Sequence, residues 1–313
     1  MRRAFVAFAL TGLLALFFTI RVSGTESWLA TTIDASHGPI FAAVAVLLLA
    51  LFRHREGWLP YFVALVGAVS LGALIEFLQS FQGRPPSVRD VMTDFAGAAA
   101  GLALWGLVRR SLRKSSQALD LVSAWLLTAV ALAGITFIIW PPLQAARAYA
   151  HRAAIFPDIA RFQDPADLYF IEIEGLEARL VPLPSPWRRG PDDRALRITY
   201  DARHAPAIQI TEPSPDWRAY SVVAVDITNP ATHALQVTFR VLDATHDWTH
   251  EDRFNESLSI PPQTRIVVRV PLSAVEAAPE RRIMDLARIA NVMLFGHGAP
   301  ESADMYASRI WLE

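Results

Sequence analysis

The chain has 313 residues, 53% hydrophobic and 19% charged, with a mean hydropathy of +0.28; a soluble domain usually has about 25% charged residues, so a wholly soluble protein is excluded. Residues 1–140 carry 11 basic and 7 acidic side chains, net +4, and residues 141–313 carry 18 and 23, net −5, so two regions suited to different solvents are expected. A net charge of −1 speaks against a nucleic-acid partner, and the lack of cysteine excludes disulfides, thiolate metal sites and cysteine nucleophiles.

In chain order, five stretches reach the roughly 17–25 apolar residues that a hydrocarbon core demands of a helix: 4–20, 33–52, 58–80, 91–108 and 121–140. The first also fits a signal peptide, with basic Arg2 and Arg3 ahead of it and Val22-Ser23-Gly24 as a small-residue cleavage site. Its apolar run is long for that role, and a retained helix is expected. Arg2, Arg3, Arg53, Arg55, Arg109, Arg110, Arg113 and Lys114 fall on one side of these spans, against Arg21, Arg84 and Arg89 on the other. The positive-inside rule therefore predicts a bacterial cytoplasmic-membrane protein with its N-terminus in the cytoplasm and residues 141–313 outside.

Ionisable and amide groups inside apolar spans are costly and need partners or a wet cavity. Here they are Asp34, His37, Glu76, Gln79, Asp90 and Asp94, with Arg84 and Arg89 in the adjoining loop. Glu76 and Gln79 share a helix face with Gly72, as do Asp90 and Asp94 with Gly97 and Gly101. Gly97-Ala98-Ala99-Ala100-Gly101 is a GxxxG surface for close helix approach. The pattern predicts an outward-facing cluster. It reads either as interhelical bonding or as a site for an envelope lipid or precursor head group, with arginine on phosphate or carboxylate and Glu76 or His37 available for acid–base work.

Four pieces carry a resemblance: Asp34-Ala35-Ser36-His37, Glu76-Phe77-Leu78-Gln79, Gly83-Arg84-Pro85-Pro86-Ser87-Val88-Arg89-Asp90, and Asp94-Phe95-Ala96-Gly97 continuing to Gly101. Over residues 4–110 the chain resembles the VanZ-like membrane family, with Ala35 where that family usually has lysine and Asp94 where it has asparagine. The resemblance implies a multi-helix envelope protein whose name-giving relative is linked to glycopeptide resistance.

After Pro141-Pro142, residues 141–164 are predicted to form a juxtamembrane linker, with strong helix formers over 143–153. From 165 to 313 short runs of β-formers alternate with turn residues, which predicts an all-β jelly-roll sandwich with strands at 168–174, 195–200, 207–211, 220–227, 235–242, 256–260, 265–270, 291–295 and 305–312. The expected fold class is thus multi-domain, an all-α transmembrane bundle followed by a β-sandwich. Asp216-Trp217-Arg218-Ala219-Tyr220, Val225-Asp226-Ile227-Thr228-Asn229-Pro230 and Asp252-Arg253-Phe254-Asn255 resemble the carbohydrate-binding, galactose-binding-like jelly rolls over residues 188–313. That resemblance implies a fold and, as a partner, cell-wall or surface glycan.

Sugar recognition needs a flat aromatic face beside polar groups. Trp248, in the polar turn His246–Arg253, is the first candidate and Trp187 the second, whereas Trp217 is expected to be a packing residue. His246, His250, Asp243, Asp247 and Asp252 lie close in sequence but lack a zinc-binding HExxH pattern, and no metal is expected. Phosphate-cradling loops and a Gly-x-Ser-x-Gly elbow are absent, so no cofactor is expected and binding is favoured over catalysis. The alternatives are a membrane-embedded enzyme acting on a lipid-linked substrate, with Glu76 or His37 as acid and base, and a non-catalytic scaffold.

Overall fold

The computed structural model describes residues 12, 27–52, 57–81, 86–113, 118–174, 178–200, 207–214, 216–296 and 303–313. The predicted span 4–20, apart from Gly12, and Arg84 lie outside the described residues. The chain divides into two compact units, 1–146 and 147–313.

The helices α1 (Ser27–Leu51), α2 (Leu59–Ser80) and α3 (Val88–Arg113) of the first unit, and α4 (Ala118–Ile155), which begins in it, are each long and apolar enough to cross a membrane. α1 starts ahead of the predicted 33, and Thr31 and Thr32 are accommodated within it by turning their hydroxyls back onto the carbonyls of Ser27 and Trp28, at 2.8 Å each. α4, expected to end at 140, runs through Pro141 and Pro142 to Ile155. Strong helix formers, Leu143-Gln144-Ala145-Ala146-Arg147-Ala148, follow the prolines, and the lost hydrogen bonds are confined to one turn.

Helices α1 and α3 meet through small residues. A Cβ on Gly97 would stand 2.1 Å from the Gly38 carbonyl oxygen, and one on Gly101 2.7 Å from Ala42 Cα. Contact this close brings the two backbones together, which is what a GxxxG stripe permits in a medium that supplies no hydrophobic drive between helices. Phe41, Val44, Ala45, Ala64, Ala68, Ile75, Ala98 and Leu102 form the bundle core. The apolar side chains of Phe62, Val66, Leu74, Phe77, Leu126 and Leu132 point outward, as lipid-facing positions do.

The second unit is an antiparallel sandwich. One sheet has the order β3-β4-β11-β6-β9, with β1 (Asp158–Ala160) pairing β11. Its members are β3 (Ala178–Pro182), β4 (Arg194–Tyr200), β6 (Val222–Asn229), β9 (Thr264–Pro271) and β11 (Ala303–Leu312). The other has the order β2-β5-β10-β7-β8, built from β2 (Ile171–Glu174), β5 (Ala207–Thr211), β7 (Leu235–Asp243), β8 (Phe254–Ile260) and β10 (Ile289–Gly296).

Along β7, Leu235, Val237, Phe239 and Val241 are buried in the core between the sheets, with Ile208, Val225, Val292 and Ile310; on the other face Gln236 is exposed and Thr238 is buried as well. Residues 168–170, expected to begin the strand 168–174, belong instead to a 3-10 helix over Pro165–Phe170. Pro165 sits at its first position and the Asp164 side chain caps it by accepting from the Ala166 N–H, so local capping overrides the β-formers that follow.

Candidate functional site

The polar residues of the bundle gather at one end, because they lie at the starts of α1 and α3, the end of α2 and the 136–144 stretch of α4. Ser87 fixes the start of α3: its Oγ accepts the Asp90 N–H at 3.1 Å. In a capping box the acid three residues on would take the cap's own N–H. Here that N–H goes instead to Glu76 Oε2, at 2.9 Å, so the end of α2 is tied to the start of α3. Glu76 is 3% exposed, and its other oxygen, Oε1, has no hydrogen-bond partner. Gln79, one turn further along α2, is also buried.

His37 and Asp94 are both buried, with Nδ1 3.2 Å from the Asp94 carboxylate.

Beside this cluster is a cavity of about 360 Å³. Thr31, Asp34 and Ala35 of α1, Arg89 and Thr93 of α3, and Phe137, Ile138, Trp140 and Gln144 of α4 line it. The residues missed from sequence follow helical spacing: Thr31 stands one turn before Asp34 and Ala35, Thr93 one turn after Arg89, and Gln144 one turn after Trp140. Three prolines bear on the same wall. Pro39, Pro141 and Pro142 have no N–H to give the carbonyls four residues earlier, those of Ala35, Phe137 and Ile138, and all three of these residues line the cavity. The pocket lining therefore holds one arginine, Arg89, and one acid, Asp34, beside helix turns that lack one hydrogen bond each.

In the sandwich, Trp217 is fully buried and donates its Nε1–H to the Ser214 carbonyl at 2.6 Å, a packing role as expected. Trp187 ends a short 3-10 turn and packs on Leu183, Ala195 and Tyr306. Trp248 is 79% exposed, at φ +69°, with its ring edge-on to His246 at 5.4 Å between centroids.

Ligand-capable atoms of His246, Asp247 and Asp252 lie within 4.8 Å of one another. Most of their polar atoms bind protein partners, while His246 Nε2 is buried without one. Asp252 is bound by Arg282 and by the Asp247 N–H, the Asp247 carboxylate takes Thr249, and the His246 ring bonds the Asp252 carbonyl at 2.7 Å. Arg282 also grips Asp243. Hydrogen bonds from Arg282 hold Asp252 below the usual carboxylate range; burial pushes Asp243 upward, but Arg282 and the Asp285 N–H outweigh it and hold it low. The same two carboxylates raise the pKa of Arg282.

Residues 5–109 match the family model VanZ/LLP1. The VanZ-like region thus contains α1, α2 and most of α3, with Asp34, His37, Glu76, Gln79, Arg89, Asp90 and Asp94. Among curated proteins, none matches the chain. The β-sandwich region has neighbours among solved structures. A family 11 carbohydrate-binding module from Clostridium thermocellum, solved with a β-1,3-1,4-mixed-linked tetrasaccharide, is 12% identical, covering 45% of this chain and 82% of that one, with a TM-score of 0.34. A family 28 module specific for non-crystalline cellulose is 11% identical over 44% and 79%, with a TM-score of 0.33. An exo-β-agarase is 17% identical over 50% of this chain and 24% of that one, with a TM-score of 0.37. Likenesses this remote assign no ligand.

Proposed function

We propose that this is a bacterial envelope protein of the cytoplasmic membrane whose VanZ-like bundle holds the phosphate-bearing head group of a lipid or lipid-linked envelope precursor. The observation that carries the reading is the cavity wall. Arg89 offers a charge and fork suited to a phosphate, while Asp34 suits a hydroxyl or ammonium donor on the same head group. Phe137, Ile138 and Trp140 supply apolar wall for the start of an acyl or prenyl chain. By the positive-inside rule the basic residues at 109–114 favour the cytoplasm for that end of α3, which supports a cavity toward the outer face and a sandwich outside, contacting glycan. Altered tolerance to glycopeptide antibiotics is the expected cellular consequence.

The test uses the full chain purified in mild detergent, with co-purifying lipids identified by mass spectrometry. Wild-type protein is expected to retain a phosphate-bearing lipid that Arg89→Gln loses. Identical lipid profiles for the two proteins overturn the reading.

Membrane-embedded catalysis is the second reading, favoured by Glu76 Oε1, a buried oxygen without a partner beside one that is anchored. Glu76→Gln would then abolish a cellular phenotype while leaving expression and melting unchanged; loss of all three together makes Glu76 structural.

A further inference from the structure

The sheet β2-β5-β10-β7-β8 turns its apolar residues inward, and its outer face carries a different composition. Register sets Gln209 opposite Met293, Met293 opposite Arg240, and Arg240 opposite Asn255 across four strands. The next row pairs Phe295 with Thr238 and Thr238 with Ser257, and beyond it lie Gln236 and Ser259. Neutral amides and hydroxyls dominate: Gln209 Nε2 donates to Asn291 Oδ1 at 3.0 Å and Gln236 Nε2 to Ser259 Oγ at 3.1 Å.

Glu172 of β2, opposite Gln209, lies at the far end of the first row; on β10, β7 and β8 the charge on this face comes from two arginines. Arg240 lies with its guanidinium 4.5 Å from the centroid of the Phe295 ring and gives its Nε–H to Asn255 Oδ1 at 2.7 Å. Both partners are neutral, which leaves the two terminal nitrogens held in a fixed plane. Arg253, in extended conformation two residues before Asn255, shares that face. Its Nε is buried and has no hydrogen-bond partner. Among the described residues neither arginine forms an ion pair, whereas Arg265, Arg269, Arg282 and Arg309 in the same unit each do. The charged neighbour that acts on Arg240 is Arg253 itself, and burial followed by this repulsion lowers the Arg240 pKa. Two like charges held side by side without a counter-ion cost stability. A bound anion removes that cost.

We infer that the outer face of this sheet binds an anionic sugar chain, one carrying carboxylate or phosphate, with Arg240 and Arg253 on the anion and the neighbouring amides and hydroxyls on the sugar hydroxyls. Arginine matches the planar, two-pronged demand of either oxyanion. The rows of Asn255, Ser257, Ser259 and Gln236 give a polyhydroxylated chain further partners along the strand. This rests on the reading that the sandwich contacts glycan, and it places the contact on the sheet face rather than at the Trp248 turn.

The test uses the full chain in detergent, with binding to polygalacturonate and to neutral dextran measured side by side and inorganic phosphate as competitor. Wild-type protein is expected to prefer polygalacturonate, with phosphate competing and added salt weakening binding. Arg240→Gln and Arg253→Gln are each expected to weaken it about tenfold, and the double variant to remove the preference. Arg253→Gln breaks no hydrogen bond, so it carries the test should Arg240→Gln unfold the sandwich; Arg269→Gln serves as a control that leaves binding unchanged. Equal binding to both polymers, or binding unaffected by the arginine variants but lost in Trp248→Ala, overturns this inference and leaves the glycan reading standing. No binding to either polymer overturns both.

Discussion

The Asp94 carboxylate occupies the space in front of Gly72: a Cβ on that glycine would stand 2.2 Å from Asp94 Oδ2. Three helices meet here, since the same carboxylate reaches His37 of α1 from α3 while α2 supplies the gap. Gly72→Ala is expected to push the carboxylate off His37 and to destabilise the bundle by about 1–3 kcal/mol, the usual cost of overpacking. Asp94→Asn, which keeps the shape and an oxygen for the His37 Nδ1–H, is expected to be tolerated. Thermal unfolding of the full chain in one detergent compares the two; a Gly72→Ala protein as stable as Asp94→Asn overturns this account.

Gly97→Ala is expected to be worse than Gly72→Ala. The added Cβ would meet a backbone oxygen, that of Gly38 at 2.1 Å, and not the movable end of a side chain. Relief requires α1 and α3 to separate, which loosens the contact through Ala42 and Gly101 as well. A lower melting temperature than for Gly72→Ala, measured in the same detergent, is the expected ordering.

Which parts of this arrangement could be read from sequence follows from how local their causes are. Gly97 and Gly101 announce a close crossing because four-residue spacing alone puts them on one stripe. Phe239 and Val241 announce a buried face because alternation is a property of the strand itself. By contrast, α4 passes through Pro141-Pro142, where local rules predict a stop; strong helix formers follow the prolines, and the lost hydrogen bonds fall within one turn. β1, with three residues, is too short for any periodicity to show and exists through its pairing with β11. The polar residues of the bundle were legible as intruders in apolar segments. Their division into a buried group around His37 and a cavity wall at Asp34 and Arg89 depends on how three helices are rotated against one another, which no single segment encodes. The Arg240–Arg253 face escaped notice for the same reason: the absence of a counter-charge is a property of the folded surface.

Removing the Arg282 side chain in Arg282→Met is expected to destabilise the sandwich by about 3 kcal/mol, because it strands Asp243, 2% exposed, and Asp252, 9% exposed, without their cation. The pH dependence has a definite sign. Both carboxylates are held low in the wild type, so their contribution is complete above the unfolded value of about 3.9 and is lost as the pH falls through their folded values. In Arg282→Met the buried carboxylates favour protonation, and acid relieves the cost. The stability gap between the two proteins should therefore be widest near neutral pH and narrow below about pH 4. Chemical denaturation followed over that range checks it, and a gap independent of pH would mean that Arg282 acts through packing alone.

Trp248 presents the opposite balance between stability and use. At φ +69° it adopts a backbone conformation that favours glycine, and with 79% of its surface exposed it recovers little by burial. The remaining support is the edge contact with His246 and the bonds of its neighbours, Asp247 receiving Thr249 and giving its own N–H to Asp252. Those bonds do not involve the indole. Trp248→Gly is therefore expected to leave stability within about 0.5 kcal/mol of wild type or to raise it, since relief of the left-handed strain offsets the added freedom of the unfolded chain. Trp248→Ala keeps the strain and loses the ring contact, and is expected to be the less stable of the two. Equilibrium unfolding of both variants decides the point. If Trp248→Gly proves destabilising by 2 kcal/mol or more, a magnitude typical of a lost packing anchor, the tryptophan is a staple holding the turn to the sandwich, and its exposure carries no meaning for recognition.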